Sequence, residues 1–250
     1  MRKFCRFRQR TEPGCFFPDP LYFVRLLPYR RPVIVEPAQV MRLLDADDKL
    51  VSTDNSPLLP AVMRMAVKLL YTARLRRGEL VPLTLDDVEA RTGLLRIRAS
   101  KFHKSRLVPL SPDASDAVRG YFRQRLATPF DSAARTALLC CELRGHHGYT
   151  GAGLAIAIDR LFIVADVKDD EGRRPRVHDM RHTFAVQALI RWYREGADVQ
   201  SNLPPLAMFM GHVSIVSTGH YLHFVPTMHN LASERFEAAF GDVVAVEATP

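Results

Sequence analysis

No stretch of this sequence approaches the ~18 consecutive apolar residues of a membrane-spanning helix, although 47% of its 250 residues are apolar. The chain has material for one large core, or a core with a small appendage, and no candidate span. Its first ten residues, MRKFCRFRQR, are basic but lack the apolar stretch and small-residue cleavage site of a secretory signal. Cysteine is scarce. Cys5, Cys15, Cys140 and Cys141 form no CxxC pair and no disulfide framework. Cys140-Cys141 stand near His146-His147, yet adjacent cysteines chelate one ion poorly and these two follow Leu138-Leu139. Buried thiols are expected there rather than a zinc site. No internal repeat, low-complexity tract or Mg²⁺-type carboxylate cluster is visible. The expectation is a reduced, cytoplasmic protein.

What the chain does have is positive charge: a formal net +8 and a pI near 9.6. Such a balance favours a polyanionic partner, nucleic acid before a membrane surface. The basic residues are dispersed, whereas a polybasic membrane tether is one short run.

Residues 1–35 read as a short basic helix (Met1–Arg10) followed by a chain held extended by Pro13, Pro18, Pro20, Pro28 and Pro32. A helical pattern starts over Pro37–Asp45, and Asp47–Pro60 reads as a loop. Pro60–Arg76 is expected as a strong helix, with Val62, Ala66, Leu69 and Ala73 on one apolar stripe. Arg76 is the next place on that stripe, with Glu79 one turn later to orient its guanidinium. Gly93–Leu110 reads as a β-hairpin, Leu95, Ile97 and Ala99 alternating with Arg96 and Arg98, and residues 101–105 (KFHKS) making the connection. Ser111–Arg125 should be a helix with Ser111 as N-cap and Pro112 at its first position. Residues 127–153 are ambiguous, with a short apolar run at Ala137–Cys141. Leu154–Val167 is apolar enough for a buried helix, and Lys168–Arg176 is a charged loop.

Asp179–Glu195 is the second strong helix, ended by Gly196. Arg181 shares a face with Phe184, Ala188 and Trp192, and His178 lies one turn before it. Val199–Met210 holds a short apolar segment broken by Pro204-Pro205, and a last helix is expected near Leu231–Phe240. Between them, Met210-Gly211-His212 is followed nine residues later by Tyr221. On one straight helix those two side chains would point to opposite faces, so a shared site requires a turn, which Gly211 and the Ser/Thr/Gly-rich run allow. A plain helical corner with an incidental tyrosine is equally compatible with that stretch alone.

The polar residues set against apolar faces or chain breaks are Arg76, Lys101, His178, Arg181, His212 and Tyr221. Two arginines can grip the non-bridging oxygens of a phosphodiester and stabilise a charged transition state. A tyrosine can attack phosphorus and store the bond as an ester. Its ordinary pKa of about 10 calls for a proton acceptor or a strong cationic field. A hairpin lysine can protonate the leaving oxygen, and histidines can share charge.

Four stretches together resemble the tyrosine recombinase (phage integrase) family over roughly residues 35–240. They are Tyr71 through Leu80 (YTARLRRGEL), Lys101 through Leu110, His178 through Ala185 (HDMRHTFA), and Met210 through Tyr221. Each alone is weak; in this order and at these separations they are specific. The resemblance implies an α+β, mainly α-helical catalytic domain with a small antiparallel β-sheet. It divides the chain into a remnant of an N-terminal core-binding domain with its linker (1–35), a catalytic domain (36–243) and a tail (244–250).

The resemblance also implies roles. Tyr221 would be the nucleophile that joins the 3′ phosphate of double-stranded DNA, and Arg76 and Arg181 would clamp the scissile phosphate. Lys101 would protonate the departing 5′ hydroxyl, with His178 and His212 completing the pocket. Glu79, Asp179 and Thr183 would support these groups, and Arg74, Arg77, Lys104 and Arg106 would lie on the DNA. No cofactor or ATP is implied, and four copies, or a mixture with related recombinases, would assemble on paired sites in the nucleoid. Residues 220–223 (HYLH) resemble transposon-borne integrases more than chromosome-dimer resolvases.

Three departures stand out. Arg74 occupies a place where the family usually has glycine, Lys104 rivals Lys101 as the acid, and most of the N-terminal clamp domain is missing. Two other readings stay open on sequence alone. One is a disabled DNA-binding remnant, the other a type IB topoisomerase-like enzyme that relaxes DNA.

Overall fold

The computed structural model describes residues 2–17, 30–53, 56–98, 105–127, 136–141 and 148–211, together with Ser233, Glu234 and Glu237. The chain divides into two units, Met1–Arg31 and Pro32–Pro250. In the first, α1 (Arg2–Arg8) is a short basic helix whose Phe4 and Phe7 are exposed. Arg8 pairs with Glu12 just past its end.

The second unit begins with an extended segment, Pro32–Val35, and then α2 (Pro37–Asp45), where the Glu36 N–H donates to Gln39 Oε1 at 2.9 Å. A 3-10 turn over Ala46–Lys49 follows, in a stretch expected to be loop. Next comes α3 (Leu59–Tyr71), in which Val62, Met63, Met65, Ala66, Val67, Leu69 and Leu70 are all buried. Apolar residues on nearly every side make a helix central rather than superficial. Accordingly α3 touches α5, α6 and α7, defined below. It stops at Tyr71, not at Arg76 as the periodicity suggests. The Thr72 hydroxyl bonds back to the Lys68 carbonyl at 2.8 Å, and Arg74 turns into the left-handed region at φ 54°.

A single turn, α4 (Arg77–Leu80), restarts the helix with Arg76 as its extended N-cap. The sheet is β1 (Val88–Glu89), β2 (Leu94–Ile97) and β3 (Arg106–Pro109), antiparallel in the order β1-β2-β3. Val88 pairs with Leu95 and Leu95 with Val108, so the period-2 alternation read from sequence buries one face. The tip of this hairpin, including Lys101 and Lys104, lies outside the described residues.

Helix α5 (Pro112–Leu126) opens as expected, the Ala114 N–H donating to Ser111 Oγ. Residues 137–140 run as isolated bridges, Thr84 to Ala137 and Cys140 to Gly148, and Cys140 is buried. Helix α6 (Gly151–Val164) is capped by Thr150. It buries Leu154, Ile158, Leu161 and Phe162, while Ile156 is 56% exposed and Ile163 and Val164 are also exposed. The buried helix expected over Leu154–Val167 is present from Gly151 to Val164, but it is buried on one face only.

Helix α7 (Val177–Arg194) closes before Gly196 at φ 69°. Helix α8 (Val199–Met210) runs straight through Pro204-Pro205, where a break was expected. Both prolines are exposed, as are Gln200 and Ser201, so the carbonyls they leave unbonded face water. The larger apolar core gathers around α3, and a second, formed by Ala185, Val186, Leu189, Val199, Leu203, Leu206 and Met210, joins α7 to α8. The helix expected near Leu231–Phe240 falls almost wholly outside the described residues.

Candidate phosphate-binding site

Three chain breaks meet beside the second core: the turn after α3, the start of α7 and the end of α8. Arg181, on the second turn of α7, is 1% exposed. Its guanidinium donates through one nitrogen to the Arg74 carbonyl and through the other to the Met210 carbonyl. Arg76 donates to the next carbonyl along, Gly211 O, at 3.0 Å, and its side chain remains 23% exposed. Two cations far apart in the sequence thus grip two consecutive carbonyls immediately before His212.

Glu79 organises the open side. Its carboxylate accepts from the Arg76 backbone N–H at 2.9 Å and from the Arg76 guanidinium at 2.8 Å. It also accepts two bonds from Arg106, at 2.9 and 3.0 Å, a bidentate pair. Glu79 is 3% exposed and Arg106 19%. Burial would raise the Glu79 pKa, but the bonds from Arg106 and the Arg76 backbone, with both guanidinium charges, outweigh it and hold it at about 2.

Gly211 completes the junction in two ways. It caps α8 in the left-handed conformation at φ 63°, and a Cβ there would come within 3.1 Å of the Arg106 guanidinium. Both features favour glycine at this position.

Arg74, in the place where glycine was expected, keeps the left-handed turn at a cost of about 1 kcal/mol or more for an L-residue. Its guanidinium lies 3.6 Å from the Phe184 ring centroid and 3.1 Å from that of Phe209. Burial, then Arg181 and Arg191, lower its pKa to about 9.

The His178 ring meets His182 edge-on at 4.6 Å. His178 is exposed, yet partial desolvation by the surrounding protein remains the largest influence lowering its pKa, followed by Arg181, with Asp179 opposing. Burial and His178 take His182 down to about 4. His182 was not singled out in the sequence, although its i+4 spacing from His178 was the available signal.

The expected supporting and DNA-contacting residues divide. Asp179 and Thr183 hold the entering chain. Asp179 accepts from the Val33 and Arg176 N–H groups, and Thr183 Oγ1 from the Val35 N–H at 3.0 Å. Arg77 is exposed beside Gly151 at the start of α6. Lys101, Lys104, His212 and Tyr221 lie outside the described residues. Among the described residues, no group of three or more His, Cys, Asp or Glu side chains is placed to hold a metal ion, and no helix is long and apolar enough to cross a membrane.

A mostly helical α+β domain brings two arginines to adjacent carbonyls, one of them, Arg76, braced by a buried carboxylate, and guanidinium groups are the side chains suited to gripping oxyanions. The sequence matches the family described as the Phage integrase family over residues 34–227. The chain belongs to that family, the tyrosine recombinases, which are DNA strand transferases of site-specific recombination.

The putative integrase/recombinase y4rB of Sinorhizobium fredii is 32% identical over 248 residues, 97% of this chain and 77% of the relative. A second from the same organism, y4rE, is 33% identical over 204 residues, 82% of this chain but 64% of the relative. The fold is that of the XerA recombinase (TM-score 0.62, 21% identity, 86% of this chain and 66% of that one). It is equally that of the Tn1549 transposon integrase in complex with transposon right end DNA (TM-score 0.62, 19% identity, 95% and 76%).

Proposed function

We propose that residues 36–243 form a catalytic domain that cuts and rejoins double-stranded DNA through a 3′-phosphotyrosine on Tyr221, in the movement of a mobile element. Arg76 and Arg181 bind the non-bridging oxygens of the scissile phosphate and neutralise the charge that builds as the Tyr221 oxygen attacks phosphorus. The bond to the 5′ oxygen breaks, and Lys101 supplies its proton, with Lys104 the nearby rival for that role. His178 and His212 complete the pocket; Arg77 and Lys104 add charge along the DNA, whereas the Arg74 guanidinium is taken up by the Phe184 and Phe209 rings. A 5′ hydroxyl of the partner strand then attacks the phosphotyrosine and restores a phosphodiester, so one bond is exchanged for another without ATP or cofactor. The working assembly is four copies on paired sites, and its place is the cytoplasm, on nucleoid DNA.

The observation that carries this reading is the convergence of Arg76 and Arg181 on the carbonyls of Met210 and Gly211. That junction immediately precedes His212 in the sequence. Relatives named as integrases support the mobile-element role.

The test is covalent trapping on nicked duplexes taken from the DNA flanking the gene. An SDS-resistant adduct with wild-type chain, absent in Tyr221→Phe, is expected. Binding without an adduct would mean a DNA-binding remnant, and relaxation of supercoiled DNA of any sequence a topoisomerase.

A further inference from the structure

We propose that Arg74 is a positioning residue: its guanidinium, stacked between Phe184 of α7 and Phe209 of α8, fixes the end of α8 and with it the carbonyls that orient Arg181. The contacts form a closed circuit. The Arg74 carbonyl accepts one nitrogen of Arg181, and the Met210 carbonyl accepts the other. Phe209, the neighbour of Met210, carries the Arg74 guanidinium on its ring, and Phe184 lies on the helix that carries Arg181. One residue therefore touches Arg181 through its backbone and the Arg181 acceptor strand through its side chain.

Two further observations fit a strut rather than a DNA contact. Among the described residues the buried Arg74 Nε has no hydrogen-bond partner, and the charges that lower its pKa are those of two arginines, Arg181 and Arg191. A guanidinium kept there is held by ring faces, which bind cations best when desolvated. It is also held at a backbone angle that glycine adopts freely and arginine does not. Glycine at 74 would make the turn more easily but leave the last turn of α8, where the Gly211 N–H donates to the Met208 carbonyl at 2.9 Å, without this brace.

The part that concerns catalysis rests on the function proposed above; the strut itself does not. The experiment therefore has two arms, on full-length Arg74→Gly, Arg74→Lys, Phe209→Leu and the Arg74→Gly/Phe209→Leu pair. Arg74→Gly relieves the turn, so it folds. Arg74→Lys keeps the charge without the flat face.

Hydrogen exchange of the amides of residues 207–211 is expected to speed up about tenfold in each variant, and no more in the pair than in either single change. In the second arm, covalent-adduct formation at saturating DNA falls about tenfold while affinity for duplex DNA stays within about twofold, the signature of misplaced rather than missing groups. Unchanged exchange in Arg74→Gly, wild-type behaviour of Arg74→Lys, or additive effects in the pair would each overturn the strut. Faster exchange with unchanged cleavage would overturn its positioning role. If wild type forms no Tyr221-dependent adduct, the proposed function fails and exchange still decides the strut.

Discussion

Glu79 and Asp179 occupy the same local position, the third residue of a helix, and each bonds back to the N–H of the residue before that helix. Both are buried carboxylates beside arginines. Their surroundings separate them. Glu79 collects Arg76 and Arg106, one from the turn after α3 and one from the hairpin, and both keep part of their surface open. Asp179 collects Arg176, its own N-cap residue, and the amide of Val33, and so fastens the entering chain to α7. One cap motif joins two arginines from separate elements, the other joins the start of α7 to the entering chain. Local sequence specifies the cap; only the tertiary partners specify which job it does.

The contrast is sharpest under substitution. Glu79→Gln leaves two half-buried guanidinium groups facing a neutral amide, costing about 2–4 kcal/mol of stability. It also lowers adduct formation by about 100-fold, because Arg76 and Arg106 lose their common anchor. Asp179→Asn costs about 1–3 kcal/mol in a denaturant titration, yet folded protein cleaves within about threefold of wild type. Equal losses of cleavage in the two variants would erase the distinction.

Gly211→Ala comes next. It meets both the left-handed backbone and the Arg106 guanidinium, so about 1–2 kcal/mol of stability and about tenfold in adduct rate are expected to go together.

Acid separates two groups in time. The unfolded His182 takes up a proton below its ordinary 6.5, the folded one only near 4, so its contribution is complete above pH 6.5 and lost as pH falls to about 4. Glu79, ordinarily near 4.5 but about 2 in the fold, contributes fully above pH 4.5 and loses that on the way down to about 2. Stability should therefore fall in two stages. His182→Gln flattens the upper one and Glu79→Gln the lower, read from Tm against pH.

The smallest effect is Thr183→Val, which deletes the acceptor for the Val35 amide. It should cost about 1–2 kcal/mol and leave cleavage by folded protein unchanged.

Much of this was legible from residues. The alternation over Leu95 and Ile97 gave the hairpin, Ser111-Pro112 the start of α5, Gly196 the end of α7, and Glu79 its place beside the Arg76 guanidinium. Each is a local rule with a local cause. Failures came where a distant partner decides. The end of α3 depends on Arg74 holding a conformation its residue type disfavours, and the reason, two aromatic rings from α7 and α8, is invisible in a window around it. Arg125, the last residue of the helix expected from Ser111, is 2% exposed because Tyr121, Thr136 and the Ala137 carbonyl receive it, and neither Thr136 nor that carbonyl is apparent in its sequence window. The acceptors for Arg76 and Arg181 are backbone carbonyls, which no residue type reveals.

The central claim is that Arg76 and Arg181 act at one phosphate. It is tested most directly by the rate of Tyr221-dependent adduct formation on a nicked duplex at saturating DNA, for Arg76→Ala, Arg181→Ala and the pair. The account predicts a loss of about 1000-fold or more for each single change and a loss in the pair well short of their product, since both serve one charge. An Arg181→Ala protein that is folded and forms the adduct at the wild-type rate would contradict it.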